Sequence, residues 1–310
     1  MTISDKYVVT HDLSGYIYYN DFDSGTELGV LKTSGSIYSV PIIYKSRMFY
    51  ISNDFEEKYS TANYYDLKDG KTLAQVRLNG SFTNQLLING DAFFAVSDNG
   101  VICKFNFAGL NEWLYESKMK VLSTPAMFKN NIYFATVNGE IASFDVIKKE
   151  IVYKKKIGKG IFSGIVIDGL YAYTGDVDGV LYCLNLKDGS VKWKADTESK
   201  IMSLPVHDEK YLYATNVSGL ISCYEKDQGR LKWHIKVSGA PIATPLLVNN
   251  FLILPNMNSH LYLINKSDGS IQKDIKFAGR MKLSPVLYNN LIIFGFDKGY
   301  IQAFEITEVK

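Results

Sequence analysis

The chain has 310 residues and a net charge of +2, from 34 basic and 32 acidic side chains, so it offers no electrostatic footprint for nucleic acid or an anionic membrane. Apolar residues make up 46%, enough for a well-buried core, yet no apolar run is long enough to span a bilayer. Tyr (22) and Phe (17) are far more abundant than a helical protein of this size needs, and both suit strands.

The start, Met1–Tyr7, is polar and shows no secretory signal pattern. A first hairpin centres on Gly15 with at most half a strand ahead of it, because Met1 stands in a slot that holds proline elsewhere. Asp21 and Asp23 follow in NDFDSG, a fragment of a calcium loop without its full spacing, and read as a turn. The second unit is long: Pro41 to Gly70 covers 29 positions, whereas Pro125 to Lys149 and Pro205 to Gly229 cover 24 each. The extra residues fall in Ser52–Thr61, around a hairpin expected near Ser60. This insert holds Asp54, Phe55, Glu56, Glu57 and Tyr59. Aromatic anchors among acids suit protein recognition, which makes these the first candidate partner-binding residues.

A third unit turns at Gly100, and from there a period of 40 is plain. Prolines fall at Pro125, Pro205, Pro245 and Pro285, and turn residues 14 positions later at Gly139, Gly219, Ser259 and Gly299, with Gly179 in step. Strand-like self-similarity at this period predicts a β-propeller, one four-stranded blade per repeat. Each unit reads as strand A with the proline, strand B, a glycine turn, strand C, a second turn and strand D. Strands A and B are expected at Ile201–Val206 and Tyr211–Thr215, then at Pro241–Val248 and Phe251–Pro255. Eight B–C hairpins, with the last unit stopping after strand C at Ile306, predict a single all-β domain over residues 1–310. The expected fold is a β-propeller of four-stranded antiparallel blades, eight in number, with seven as the alternative. The N-terminal segment either completes the first blade or pairs with the last.

Trp113, Trp193 and Trp233 each follow the C–D turn position by four residues, and Tyr153 takes the same slot after Lys149. A large ring at one fixed blade position is expected to wedge between neighbouring blades. Cys103, Cys183 and Cys223 are odd in number, which argues against a disulfide framework. Cys183 and Cys223 share a small-residue slot with Ser143 and Ala303 and read as packing thiols. Asp176-Val177-Asp178 reads as a hairpin turn that could also present Asp176 and Asp178 to a partner. The four His are scattered, and no HExxH, GxSxG or phosphate-binding loop is present. No catalytic residue, metal ligand or cofactor is therefore expected.

GVLYCLNLKDGSVKW (Gly179–Trp193) and GLISCYEKDQGRLKW (Gly219–Trp233) resemble the pyrroloquinoline-quinone-like (PQQ-like) propeller repeat. SHLYLINKSDGSIQK matches except that Lys273 replaces the Trp, and VICKFNFAGLNEW is looser. The second unit departs with Ala74 in the Trp slot, and the first unit departs altogether. The resemblance covers nearly the whole chain. It implies the non-enzymatic, BamB-like branch: a protein-interaction scaffold whose partner is an envelope or membrane-associated protein, periplasmic or exported. The polar start and free thiols leave a cytoplasmic location open. A quinone- or calcium-dependent oxidoreductase is the first alternative. The adjacent Cys-Cys pair that the resembling enzymes carry beside the quinone is missing from this sequence. A sugar-binding propeller, or one propeller of a larger protein, are the others.

Overall fold

The computed structural model describes residues 1–4, 6–281, 283–297 and 300–306; Gly299 lies outside them. Among these residues every regular element is a strand, and the strands form eight antiparallel sheets. Seven sheets have four strands and the last has three. The fold is an all-β propeller of eight blades. By contacts the chain divides into two compact units, Met1–Tyr133 with Phe144–Val152 and Phe134–Ser143 with Tyr153–Lys310. The division falls within the strands of the fourth blade.

Blade 5 is the plainest example of the pattern, with strands A to D at Val166–Asp168, Tyr171–Gly175, Val180–Asn185 and Val191–Asp196. Tyr182 and Cys183 point to opposite faces of strand C and are both buried, so this strand is packed on two sides. Strand D alternates instead, with Trp193 buried between the exposed Lys192 and Lys194. Successive blades in each unit share a core. Leu181, Cys183, Trp193 and Ile201 meet Leu212, Ala214 and Tyr224 of the next blade. In the first unit Phe49, Ile51 and Tyr64 of blade 2 meet Phe93, Cys103 and Phe105 of blade 3.

Two expectations are corrected here, and one alternative is decided. Strand A is shorter than the pattern suggests and begins after the proline: Val206–His207 and Leu246–Val248 are paired, while Ile201–Pro205 and Pro241–Pro245 are not. Proline has no N–H to give to a ladder, so pairing starts beyond it. The second hairpin turns at Phe55–Lys58, and Ser60 already lies in strand C opposite Asn53. The extra residues lengthen the ladder instead of forming a slack loop. Blade 2 strands Arg47–Asp54, Tyr59–Asp66 and Lys71–Asn79 have 8, 8 and 9 residues. Finally, the N-terminal segment completes the first blade: Thr2–Ile3 pairs with Tyr7–His11, and the Thr2 hydroxyl donates to the Pro41 carbonyl.

The three cysteines are free and buried. Loss of solvation pushes Cys103 and Cys223 up to about 12 and Cys183 to about 11. The native protein is therefore expected to leave Ellman's reagent unreacted at pH 8 and to titrate three thiols once denatured. Stoichiometric reaction of the native protein would contradict this packing.

Candidate partner-binding site

The aromatic slots form inter-blade joints. The Trp193 ring lies 2.6 Å from where a side chain on Gly229 would begin, and its Nε1 donates to the Lys226 carbonyl at 2.7 Å. Trp233 repeats this over Gly269, with its Nε1 donating to Lys266 at 3.0 Å. An ion pair straps each joint: Lys226 to Asp168 at 2.5 Å and Lys266 to Asp208 at 3.3 Å. Tyr153 packs over Gly189. Trp113 meets Phe144, with the Lys149 ammonium 5.5 Å from its ring centre. These four residues hold blades together and are withdrawn from binding.

The second blade solves the same problem in reverse. Cys183 stands opposite Trp193 and Cys223 opposite Trp233, a small residue on strand C facing a ring on strand D. In blade 2, Tyr64 on strand C stands opposite Ala74 on strand D, and the Tyr64 ring covers Gly109 of the next blade. Volume is conserved across the pair, so the joint survives the loss of the Trp. The glycines allow a direct test. Gly25 and Gly229 both sit at φ +69, but nothing lies within 4 Å of a side chain added at Gly25. Backbone strain is common to both substitutions, so Gly229→Ala is expected to cost about 2 kcal/mol more than Gly25→Ala, the penalty of overpacking against Trp193. Equal losses on denaturation would dissolve the joint.

The Asp176–Asp178 turn splits. Asp176 is 1% exposed. Its Oδ1 accepts from the Asp178 and Val180 amides at 3.0 and 2.9 Å, and its Oδ2 from the Tyr182 hydroxyl at 2.8 Å and the Lys159 amide at 3.1 Å. Asn216 and Asn256 brace the next two hairpins from the same slot. Asp176 is thus a turn brace, neither solvated nor presented to a partner, while Asp178 is exposed at the tip.

The blade 2 hairpin presents a different surface. Its tip is held open to solvent by a buried post. Asn53 is 1% exposed; its Oδ1 accepts from the Phe82 amide at 2.6 Å and the Ser60 hydroxyl at 2.8 Å. Its Nδ2 donates to the Phe82 and Ser36 carbonyls, and the Asn53 and Ser36 backbones also exchange two bonds. Beyond the post the turn is tight: the Glu57 amide donates to Asp54 Oδ1 at 3.0 Å, and Lys58 takes φ 57. Phe55 stands out of this frame at 46% exposure and meets Tyr38, 39% exposed, edge to face at 5.6 Å. Tyr59 turns the other way and takes the Arg77 guanidinium over its ring at 3.7 Å. The sequence-predicted Asp54, Phe55, Glu56 and Glu57 therefore share one exposed tip, and Tyr59 buttresses its flank. Tyr38 was not foreseen: it lies 17 residues before Phe55, in an irregular segment with no local signal.

Among the described residues no group of three or more His, Cys, Asp or Glu is placed to hold a metal. An open concavity of about 400 Å³ in the first unit is lined by Lys6, Tyr19, Asp21, Lys68 and Asp69, with no nucleophile beside a base. No helix among the described residues is long and apolar enough to cross a membrane.

A family model described as the outer membrane protein assembly factor BamB matches residues 115–195 and 195–308, together more than half of the chain. No curated protein matches it. Among solved structures, the computationally designed Ika8 protein superposes with a TM-score of 0.83 at 12% identity, over 98% of this chain and 95% of that one. BamB from Moraxella catarrhalis superposes at 0.82 with 14% identity, over 98% and 95%. At such identities the likeness to the solved structures is one of fold.

Proposed function

The chain belongs to the PQQ-like β-propeller family of the outer membrane protein assembly factor BamB, and from that premise we propose that it is a non-catalytic scaffold. It binds a partner protein of the cell envelope through the tip of the blade 2 hairpin, in a periplasmic or exported location. The observation that carries this reading is the Phe55–Tyr38 pair, two exposed rings edge to face, Phe55 on a braced hairpin and Tyr38 on the segment beside it. An exposed aromatic pair on a rigid mount loses little entropy when it is covered, which is the property of a binding anchor. Asp54, Glu56 and Glu57 around it favour a partner with basic groups beside an apolar pocket.

Crosslinking capture from native cells tests this. Phe55→Ala and Tyr38→Ala are each expected to weaken capture of the principal partner roughly tenfold or more. Capture unchanged by both substitutions would reject the hairpin as the site.

A further inference from the structure

The joint between blades 1 and 2 carries a separate inference. At Gly109, Gly189, Gly229 and Gly269 a ring of the preceding blade lies 2.5–2.7 Å from where a side chain would begin. Gly70 holds the same place in blade 2, at φ +65, but the nearest atom there is the Tyr65 hydroxyl of its own blade, at 3.6 Å. The cause lies in blade 1. Gly29 follows Gly25 by four residues, the slot of Trp193 after Gly189. Tyr19 faces Gly29 across the ladder, as Tyr64 faces Ala74. With no side chain on Gly29, the Tyr19 ring folds over its own strand D, its hydroxyl where a Gly29 side chain would begin, and stops short of Gly70. The ion pair that straps the later joints is missing as well, because Leu67 and Ser4 stand in the slots of Lys226 and Asp168.

The result is the concavity of about 400 Å³, with Tyr19, Leu28 and Leu67 in its lining and the exposed Lys6, Lys68 and Asp69 around it. Ligand pockets span about 300–1,000 Å³, and a cavity left where a side chain is absent takes a small ligand of that side chain's shape. The joint also keeps its polar end. The Leu67 amide donates to the Ser46 carbonyl, as the Lys226 and Lys266 amides donate to those of Lys210 and Asn250, so the three backbones run alike. The Lys226 and Lys266 carbonyls accept the indole N–H of Trp193 and Trp233 at 2.7 and 3.0 Å. The Leu67 carbonyl stands in that same place, three residues before Gly70. The charges around the opening are of both signs, so they select the ring and not the charge of what carries it.

We propose that this joint is a binding site for an indole ring, carried by a free small molecule or by a tryptophan of a partner protein, with the ring against Gly70 and its N–H on the Leu67 carbonyl. The site lies at the Asp66 end of strand Tyr59–Asp66, away from the Tyr59 end that forms the blade 2 tip, and does not depend on that tip. The test titrates the full chain with indole, 1-methylindole and the peptide Ala-Ala-Trp-Ala-Ala, read by amide chemical shifts. Indole is expected to move the Leu67 and Gly70 amides saturably. 1-Methylindole, which has no N–H to donate, is expected to bind about fivefold more weakly. Gly70→Asn puts a side chain into the site on a residue type that tolerates left-handed backbone, and is expected to abolish the shifts. Tyr19→Cys together with Gly29→Trp rebuilds the Cys183–Trp193 pair in blade 1, and is expected to abolish indole binding while raising the unfolding midpoint. A peptide that binds at least as tightly as indole makes a partner's tryptophan the source, and binding of indole without the peptide makes it a small molecule. The proposal is overturned if indole moves neither amide up to its solubility limit, if 1-methylindole binds as tightly as indole, or if either folded variant binds indole as the parent does.

Discussion

Trp193→Ala is expected to lower folding stability by about 3–5 kcal/mol, the range for deleting a large buried ring. Three losses combine. The ring is 9% exposed and packs among Leu181, Cys183 and Ile201 of its own unit, so its removal leaves a cavity. Its tilted ring contact with Tyr173, at 5.9 Å between ring centres, disappears. The Lys226 carbonyl, which accepts the Nε1 proton in a buried bond, is left without that donor. Trp193→Phe separates the terms: most of the packing remains and only the hydrogen bond is lost, for about 1–2 kcal/mol. Trp233→Ala is expected to cost less than Trp193→Ala, because the Trp233 ring is only half-buried. Denaturant midpoints read all three, and a midpoint for Trp193→Ala equal to that of the parent would remove the joint from the account of stability.

Asn53→Ala is expected to cost about 3 kcal/mol, although it deletes only three heavy atoms. The side chain satisfies the Phe82 amide and carbonyl, the Ser36 carbonyl and the Ser60 hydroxyl, in a place water does not reach. Each orphaned buried group costs about 1–3 kcal/mol, and neighbouring groups do not add in full. The loss is also local. Amides of Asp54 to Tyr59 are expected to exchange faster with solvent, because the post that ties the hairpin to Ser36 and Phe82 is gone. Phe55→Ala at the tip of the same hairpin is expected to stay within about 0.5 kcal/mol of the parent. The pair thus separates the mount from the anchor. If Asn53→Ala left both the midpoint and the exchange unchanged, the hairpin would not be rigid, and the low entropy cost on which its binding role depends would be lost.

These two predictions concern residues of unequal visibility in the sequence. Trp193 is conspicuous because its neighbours at the same phase, Trp233 and Tyr153, announce a shared slot, and a ring repeated in register has few uses besides packing. Asn53 has no such signal. Only its hydrogen bonds to Phe82, Ser36 and Ser60, far apart in the chain, reveal its task. Asp176 illustrates the opposite error. A carboxylate in a turn invites a solvated reading, yet the folded chain surrounds it with four donors.

The sequence by itself determined the fold class, the eight B–C hairpins, the aromatic slots and the abnormal length of the second unit. All of these are written as spacings along the chain, and spacing follows directly from strand length and turn chemistry. Tertiary structure alone decided that the extra residues stiffen a ladder, that Tyr64 replaces a missing Trp from the neighbouring strand, and that Tyr38 meets Phe55. Each depends on which side chains face one another across a ladder or between segments far apart in the chain. A shift of one residue in register exchanges the two faces of a strand, so such pairings are not readable until the chain is folded.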